Sequence, residues 1–288
     1  MSAWGDLSRR YAALTVAEKL IAINVALFVL PFLFQTIVYL LGFPSVDFIT
    51  FFELSPRLMQ WLVHPWTLIT YGFFHGSFGH ILWNMLLFYS AAQIFLNLFH
   101  ATRLINLYFT GIFAGGIIFL VSYALFPVFE GRYPALIGSS AGVMAVLIFC
   151  CTYSPQQVVR ILFFNIKLQY IGIALVLFDV VQIPAGNAGG HLAHLGGALM
   201  GFLTARAYLN GTRDYTLNFS GLADYIATFR SSMPLKTVYR ASKNEKSKPR
   251  NTTTDQAKID DILDKISASG YDSLTQQEKE FLFKAGKK

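Results

Sequence analysis

Charge is scarce in this chain. Asp, Glu, Lys and Arg make up 14% of its 288 residues, against about a quarter in an ordinary soluble domain. Cysteine is nearly absent: Cys150 and Cys151 stand side by side in an apolar run, which excludes a disulfide scaffold and a spaced pair of metal-binding thiolates. The first residues, MSAWGDLSRRYAALTVAEK, lack the short apolar core and small-residue cleavage site of a cleaved signal peptide. What is plentiful is apolar: 54% of residues are hydrophobic and the mean hydropathy is +0.47. Lipid is therefore the expected solvent. The formal charge of +7 then reads as Lys and Arg gathered on the cytoplasmic side of a membrane, not as a nucleic-acid footprint.

A spanning helix needs about 20 mostly apolar residues. Six stretches qualify or come close, near 20–41, 80–99, 104–126, 138–153, 168–184 and 189–209. The fourth rises only about 24 Å at ~1.5 Å per residue, so it must begin below the membrane surface. Non-helical backbone at that depth is tolerated only inside protein or beside a water-filled cavity. The expected fold class is thus an all-α membrane protein, a six-helix bundle with a short, partly internal fourth helix.

Arg9, Arg10 and Lys19 precede the first stretch. Arg103, Arg160, Lys167, Arg206 and Arg213 fall in alternate connections, while the opposite loops carry only Arg57 and Arg132. Both termini are therefore expected in the cytoplasm. The aromatic-rich outer loop near 43–79 is expected to lie partly in the membrane interface. Four regions follow: a cytoplasmic segment 1–19, the membrane domain 20–210, a basic flexible linker 211–258, and a small helical hairpin 259–288. In the hairpin, Ile259, Ile262, Leu263 and Ile266 have helical spacing, Gly270 ends that helix, and Thr275 with Glu278 forms a capping box for the next.

Polar residues inside spans are costly and tend to be functional. Ser140, in GSSAGVMA, sits near the start of the short fourth span, where free N–H groups and the helix dipole favour an anion. The alternative is that Ser139 and Ser140 merely cap the helix or allow close packing. His191 and His194 lie in GGHLAHLGGALMG beside a small-residue stripe, Ala193, Gly197, Gly201 and Ala205. Ala141, Gly142 and Ala145 could answer that stripe and bring His194 near Ser140; otherwise it is a packed glycine zipper. His80 and Asn84 share one helical face and suit an oxyanion hole, or fix loop backbone. Asp179 is read first as a bond to a neighbouring helix and second as a third catalytic group. Zinc on His75, His80, His191 and His194 is disfavoured, because HExxH is absent and no Glu or Asp is evidently placed as a base. No metal and no cofactor are expected.

These residues resemble the rhomboid family of intramembrane proteases. The likeness is carried by GSSA with Ser140, AHLGGALMG with His194, HGSFGHILWN with His80 and Asn84, and the preceding PWTLITYGFFH. It spans about residues 15–210. The resemblance implies a Ser140–His194 dyad, an oxyanion held by His80, Asn84 and the Ser140 N–H, and cleavage of membrane proteins in or near a transmembrane helix. It implies no cofactor. GYDSLTQQEKEFLFKAG is similar to the tail of some bacterial rhomboids, which implies a multi-pass protein of the bacterial inner (plasma) membrane. The alternative is a catalytically inactive, rhomboid-like binder of membrane helices. A transporter would show paired repeats, which are not evident. The chain departs from the family pattern at Ala141, at Thr67 after Trp66, and at Met144, where a Tyr commonly supports the histidine. The sequence does not show what holds the His194 ring.

Overall fold

The computed structural model describes residues 10–44, 47–161, 163–222 and 252–285. They form two compact units, divided between residues 233 and 234.

In the first unit, α1 (Val16–Leu40) starts at Thr15. The Thr15 side chain accepts from Glu18 N–H at 3.3 Å, and Glu18 accepts from Thr15 N–H at 2.7 Å, a reciprocal cap. The loop after α1 then folds into short helical turns, including α2 (Leu58–Val63) and α3 (Thr67–Thr70). Trp66 donates to the Phe51 carbonyl at 2.9 Å and Thr70 to that of Phe52 at 2.9 Å. Side-chain bonds thus hold a loop with little regular structure. Next come α4 (Phe78–Leu96), α5 (Ala101–Leu125), α6 (Ser140–Tyr153), α7 (Leu168–Gln182) and α8 (Ala188–Leu209). Helix α6 is central: Ala141 through Cys151 are all buried.

Among the described residues, four helical stretches, those of α1, α4, α5 and α7, are long and apolar enough to cross a membrane. Helix α6 is apolar but short, as expected. Helix α8 is long enough at 22 residues, but its glycines and histidines dilute its hydropathy. Exposed apolar side chains on α1 and α7, such as Leu30, Leu33, Phe34, Leu177 and Phe178, suit contact with lipid, where apolar surface carries no penalty.

One feature departs from an all-helical reading. The connection between α6 and α7 is a β-hairpin, with β1 (Val158–Ile161) antiparallel to β2 (Phe164–Lys167) and Val158 opposite Lys167. Its β-branched and aromatic residues favour strand. Residues 216–219, at the start of the expected linker, run back along α5: the N–H groups of Leu217 and Phe219 donate to Thr110 and Asn106 at 2.9 and 2.8 Å. Of the rest of that expected linker, 223–251 lies outside the described residues, as does the segment 1–9, while 252–258 is helical, so the hairpin starts seven residues before the expected 259.

The second unit is a hairpin of α9 (Thr252–Ser269) and α10 (Gln276–Ala285). Gly270 takes a positive φ of 77° and its N–H donates to Ile266, ending α9 where expected. Thr275 and Glu278 cap α10 reciprocally, and Lys265 ties the two helices through Glu278 at 3.0 Å.

Candidate functional site: a serine at a helix start beside a His-Asp-His cluster

Helix α6 begins at Ser140, with Ser139 in the N-cap position but making no side-chain cap. The first helical bond runs from Val143 N–H to Ser139. The N–H groups of Ser140, Ala141 and Gly142 therefore have no acceptor within their own helix, a disposition that suits an anion. The two serines differ. Ser139 is fully buried, and its Oγ lies 3.2 Å from His75 Nε2. Ser140 is only half-buried, and its hydroxyl has no hydrogen-bond partner among the described residues. Its side chain is the reachable one.

The chain enters α6 through Gly138, whose φ of 128° is a conformation that only glycine adopts readily. Its N–H donates to the Tyr71 carbonyl at 2.9 Å. A Cβ at Gly138 would come within 2.7 Å of the His80 ring, so this glycine is what lets His80 lie against the start of α6. Asn84 is buried and donates one amide hydrogen to the His80 carbonyl at 3.0 Å; an amide has a second to give. Ser77 caps α4 by accepting from His80 N–H. The loop and α4 thus bring His80 beside the start of α6.

Helix α8 reaches the same place by backbone contact. A Cβ on Gly197 would overlap the Ala141 carbonyl oxygen, and one on Gly201 that of Ala145. A Cβ on Gly115 of α5 would meet both the Ala141 methyl and, at 2.8 Å, the Ala193 carbonyl. Ala141 follows Ser140 and Ala193 precedes His194, so the serine and the histidine flank one three-helix contact. The small-residue stripe does what its spacing suggested.

Asp179 bonds a neighbouring helix, the first of the two readings given to it above. It is buried on α7, and one oxygen, Oδ1, lies 2.7 Å from His191 Nδ1 and 2.8 Å from His194 Nδ1. A carboxylate only accepts, so this pattern assigns the proton of both rings to Nδ1 and leaves Nε2 of each as a lone-pair nitrogen. Asp179 also answers what holds His194 in the absence of a Tyr at Met144. A lone carboxylate in an apolar span must find a polar partner. That partner could only be named once α7 was seen beside α8.

A cavity of about 610 Å³ lies between the loop entering α6 and the start of α8, lined by Phe119, Phe129, Arg132, Leu136, Asn187 and Gly190 among others. Asn187 closes the turn into α8 with a φ of 49°, which Asn tolerates better than most residues.

Taken together, these features define a helical membrane protein with a polar site enclosed by its helices. Over residues 63–211, just over half its length, the chain matches the family model of the Rhomboid domain; it belongs to the rhomboid family. Residues 250–288 match a family of unknown function. The chain is 31% identical over 145 residues to RHOMBOID-like protein 12, mitochondrial, of Arabidopsis thaliana, covering 46% of this chain and 43% of that protein. It is 32% identical over 144 residues to the mouse Presenilin-associated rhomboid-like protein, mitochondrial, covering 49% and 37%. A zebrafish protein, Presenilin-associated rhomboid-like protein A, mitochondrial, is 32% identical over 133 residues, covering 45% and 34%. The match spans less than half the length of these curated relatives.

Proposed function

We propose that this protein is an intramembrane serine endopeptidase that cuts other membrane proteins in or near a transmembrane helix. The observation that carries the reading is the His194–Asp179 bond of 2.8 Å. With Nδ1 committed, His194 Nε2 is the general base for Ser140, and Asp179 holds the ring and favours the imidazolium that forms. Ser140 Oγ attacks the peptide carbonyl. His194 takes its proton and returns one to the leaving amine. The Ser140 N–H, His80 and Asn84 hold the oxyanion. No cofactor takes part. The cavity beside Arg132 and Asn187 lies at the start of α8, the helix that carries His194. In this reading α1, α4, α5, α6, α7 and α8 are six spans, both termini are cytoplasmic, and the outer loop rests in the interface. Residues 1–19 are a cytoplasmic N-terminal segment and 20–210 the protease domain, followed by a linker and by a cytoplasmic hairpin that is already helical at Thr252. The C-terminal hairpin favours a bacterial inner membrane, while the relatives named above are mitochondrial; fractionation of the native cells decides between them.

The test is cleavage of a model transmembrane substrate in liposomes, with fluorophosphonate labelling alongside. Ser140→Ala and His194→Ala each abolish both signals, and Ser139→Ala retains them. If Ser139→Ala loses labelling while Ser140→Ala keeps it, the nucleophile is the neighbouring serine. Folded wild-type protein that neither cleaves nor labels would instead be a binder of membrane helices.

A further inference from the structure

His191 and His194 are one turn apart on α8, and Asp179 meets them from α7. One donor atom from each lies within 4.8 Å of those of the other two, and both Nδ1 atoms lie within 2.8 Å of Asp179 Oδ1. Two imidazoles and a carboxylate converging on one point make a donor set suited to a divalent transition metal, with a water completing a tetrahedron. The side chains of His191 and His194 retain 13% and 22% of their exposure, while Asp179 retains 5%. The cluster is therefore buried on the carboxylate side and open on the imidazole side, where an ion and its water would enter. Metal–nitrogen and metal–oxygen bonds of ~2.0–2.1 Å in a tetrahedron set donors about 3.3 Å apart. The present separations of 2.7 and 2.8 Å need to open by about half an ångström, within reach of small side-chain rotations.

We propose that Asp179, His191 and His194 form a binding site for a zinc-class divalent ion, and that an ion bound there switches the site off. The switch is a tautomer. In the metal-free protein, Nδ1–H donates to Asp179 and Nε2 carries a lone pair. A metal takes the Nδ1 lone pair, so the ring proton moves through water to Nε2. Each neutral histidine keeps its one proton, and no redox step is involved. Nε2–H is a donor only, so His194 can no longer accept the Ser140 proton. The ion is thus an inhibitor and not a cofactor. The effect on cleavage rests on the protease reading above; the binding itself does not.

Binding is measured first on full-length Ser140→Ala protein in detergent, where no cleavage intervenes, by zinc titration calorimetry and by the visible absorption of Co²⁺. One ion per chain is expected, with tetrahedral Co²⁺ bands, and Mg²⁺ neither binds nor competes. Adding His191→Ala weakens zinc binding by about tenfold or more. His191→Gln, which still donates to Asp179, does the same, and unchanged thermal unfolding of that variant shows that a lost fold is not the cause. In the Ser140-containing protein, zinc inhibits cleavage, a chelator restores it, and His191→Gln moves the inhibitory concentration upward relative to its own metal-free rate. Zinc binding that is absent, or unaffected by both His191 substitutions, overturns the site. Site-specific binding with undiminished cleavage overturns the switch. Binding in a protein that never cleaves leaves the site standing and removes the protease reading.

Discussion

Helices α7 and α8 both pack against α6, but they are held in different ways. Helix α8 buries Ala193, Gly196, Gly197, Ala198, Gly201 and Ala205, and its backbone lies directly on that of α6. Between helices in lipid there is little hydrophobic drive, so close van der Waals contact does the work, and small residues permit it. Helix α7 buries only Leu168, Gly172 and Asp179 and exposes Ile173, Leu177, Phe178 and Val181. Its extended apolar surface is indifferent to whether it meets lipid or protein. One carboxylate, bonded to two histidines of α8, is its most specific link to the site. The polar chemistry is thus shared between a rigidly seated helix and a lightly seated one.

The largest expected effect tests the backbone contact. Gly197→Val should cost at or beyond the top of the roughly 1–3 kcal/mol range for overpacking, because the obstacle is the Ala141 carbonyl and not a movable side chain. Gly172→Ala on α7 would meet the Cys151 Cβ at 2.8 Å and its Sγ at 3.2 Å, and should cost about 1 kcal/mol. Thermal unfolding in detergent compares the two, and equal losses would erase the distinction between the helices.

Asp179 tests the other half. Asp179→Ala should lower kcat by about 100-fold or more, as loss of an oriented base does, with Asp179→Asn intermediate because its carbonyl still accepts from Nδ1–H. A change confined to KM would mean that Asp179 seats α7 for substrate entry and does not orient His194.

The smallest effect belongs to the C-terminal hairpin, where both helix ends are set locally. Backbone and side-chain bonds from Thr275, with Lys265 beside it, hold the Glu278 carboxyl down at about 2, below its ordinary 4.5. A depressed carboxylate contributes stability above its ordinary value and loses it as pH falls from 4.5 towards 2. Hydrogen exchange should therefore show α10 protection weakening over that window in the native chain. Glu278→Gln should flatten the dependence; an unchanged profile would reject the cap as its source.

Much of this organisation was legible in the chain. The apolar runs located the helices to within a few residues, because a helix in lipid must satisfy its own backbone. Gly270, Thr275 and Glu278 announced the hairpin, because caps are local bonds between near neighbours. The four-residue stripe in α8 announced the close approach to α6. The β-hairpin between α6 and α7 was missed because eight strand residues carry a weak signal next to a long apolar run. Asp179 was seen as costly, but its partners were not visible.

What the sequence alone determined, then, is the set of membrane helices, the short central one with Ser140 near its start, and the small faces by which it could be approached. These depend on periodicity, length and local hydrogen bonding. Only the tertiary structure decided that His75 meets Ser139 while Ser140 remains reachable, and that Asp179 closes on both His191 and His194. Those bonds join residues distant in the chain, and the angle at which two helices cross is set by the packing of all their neighbours.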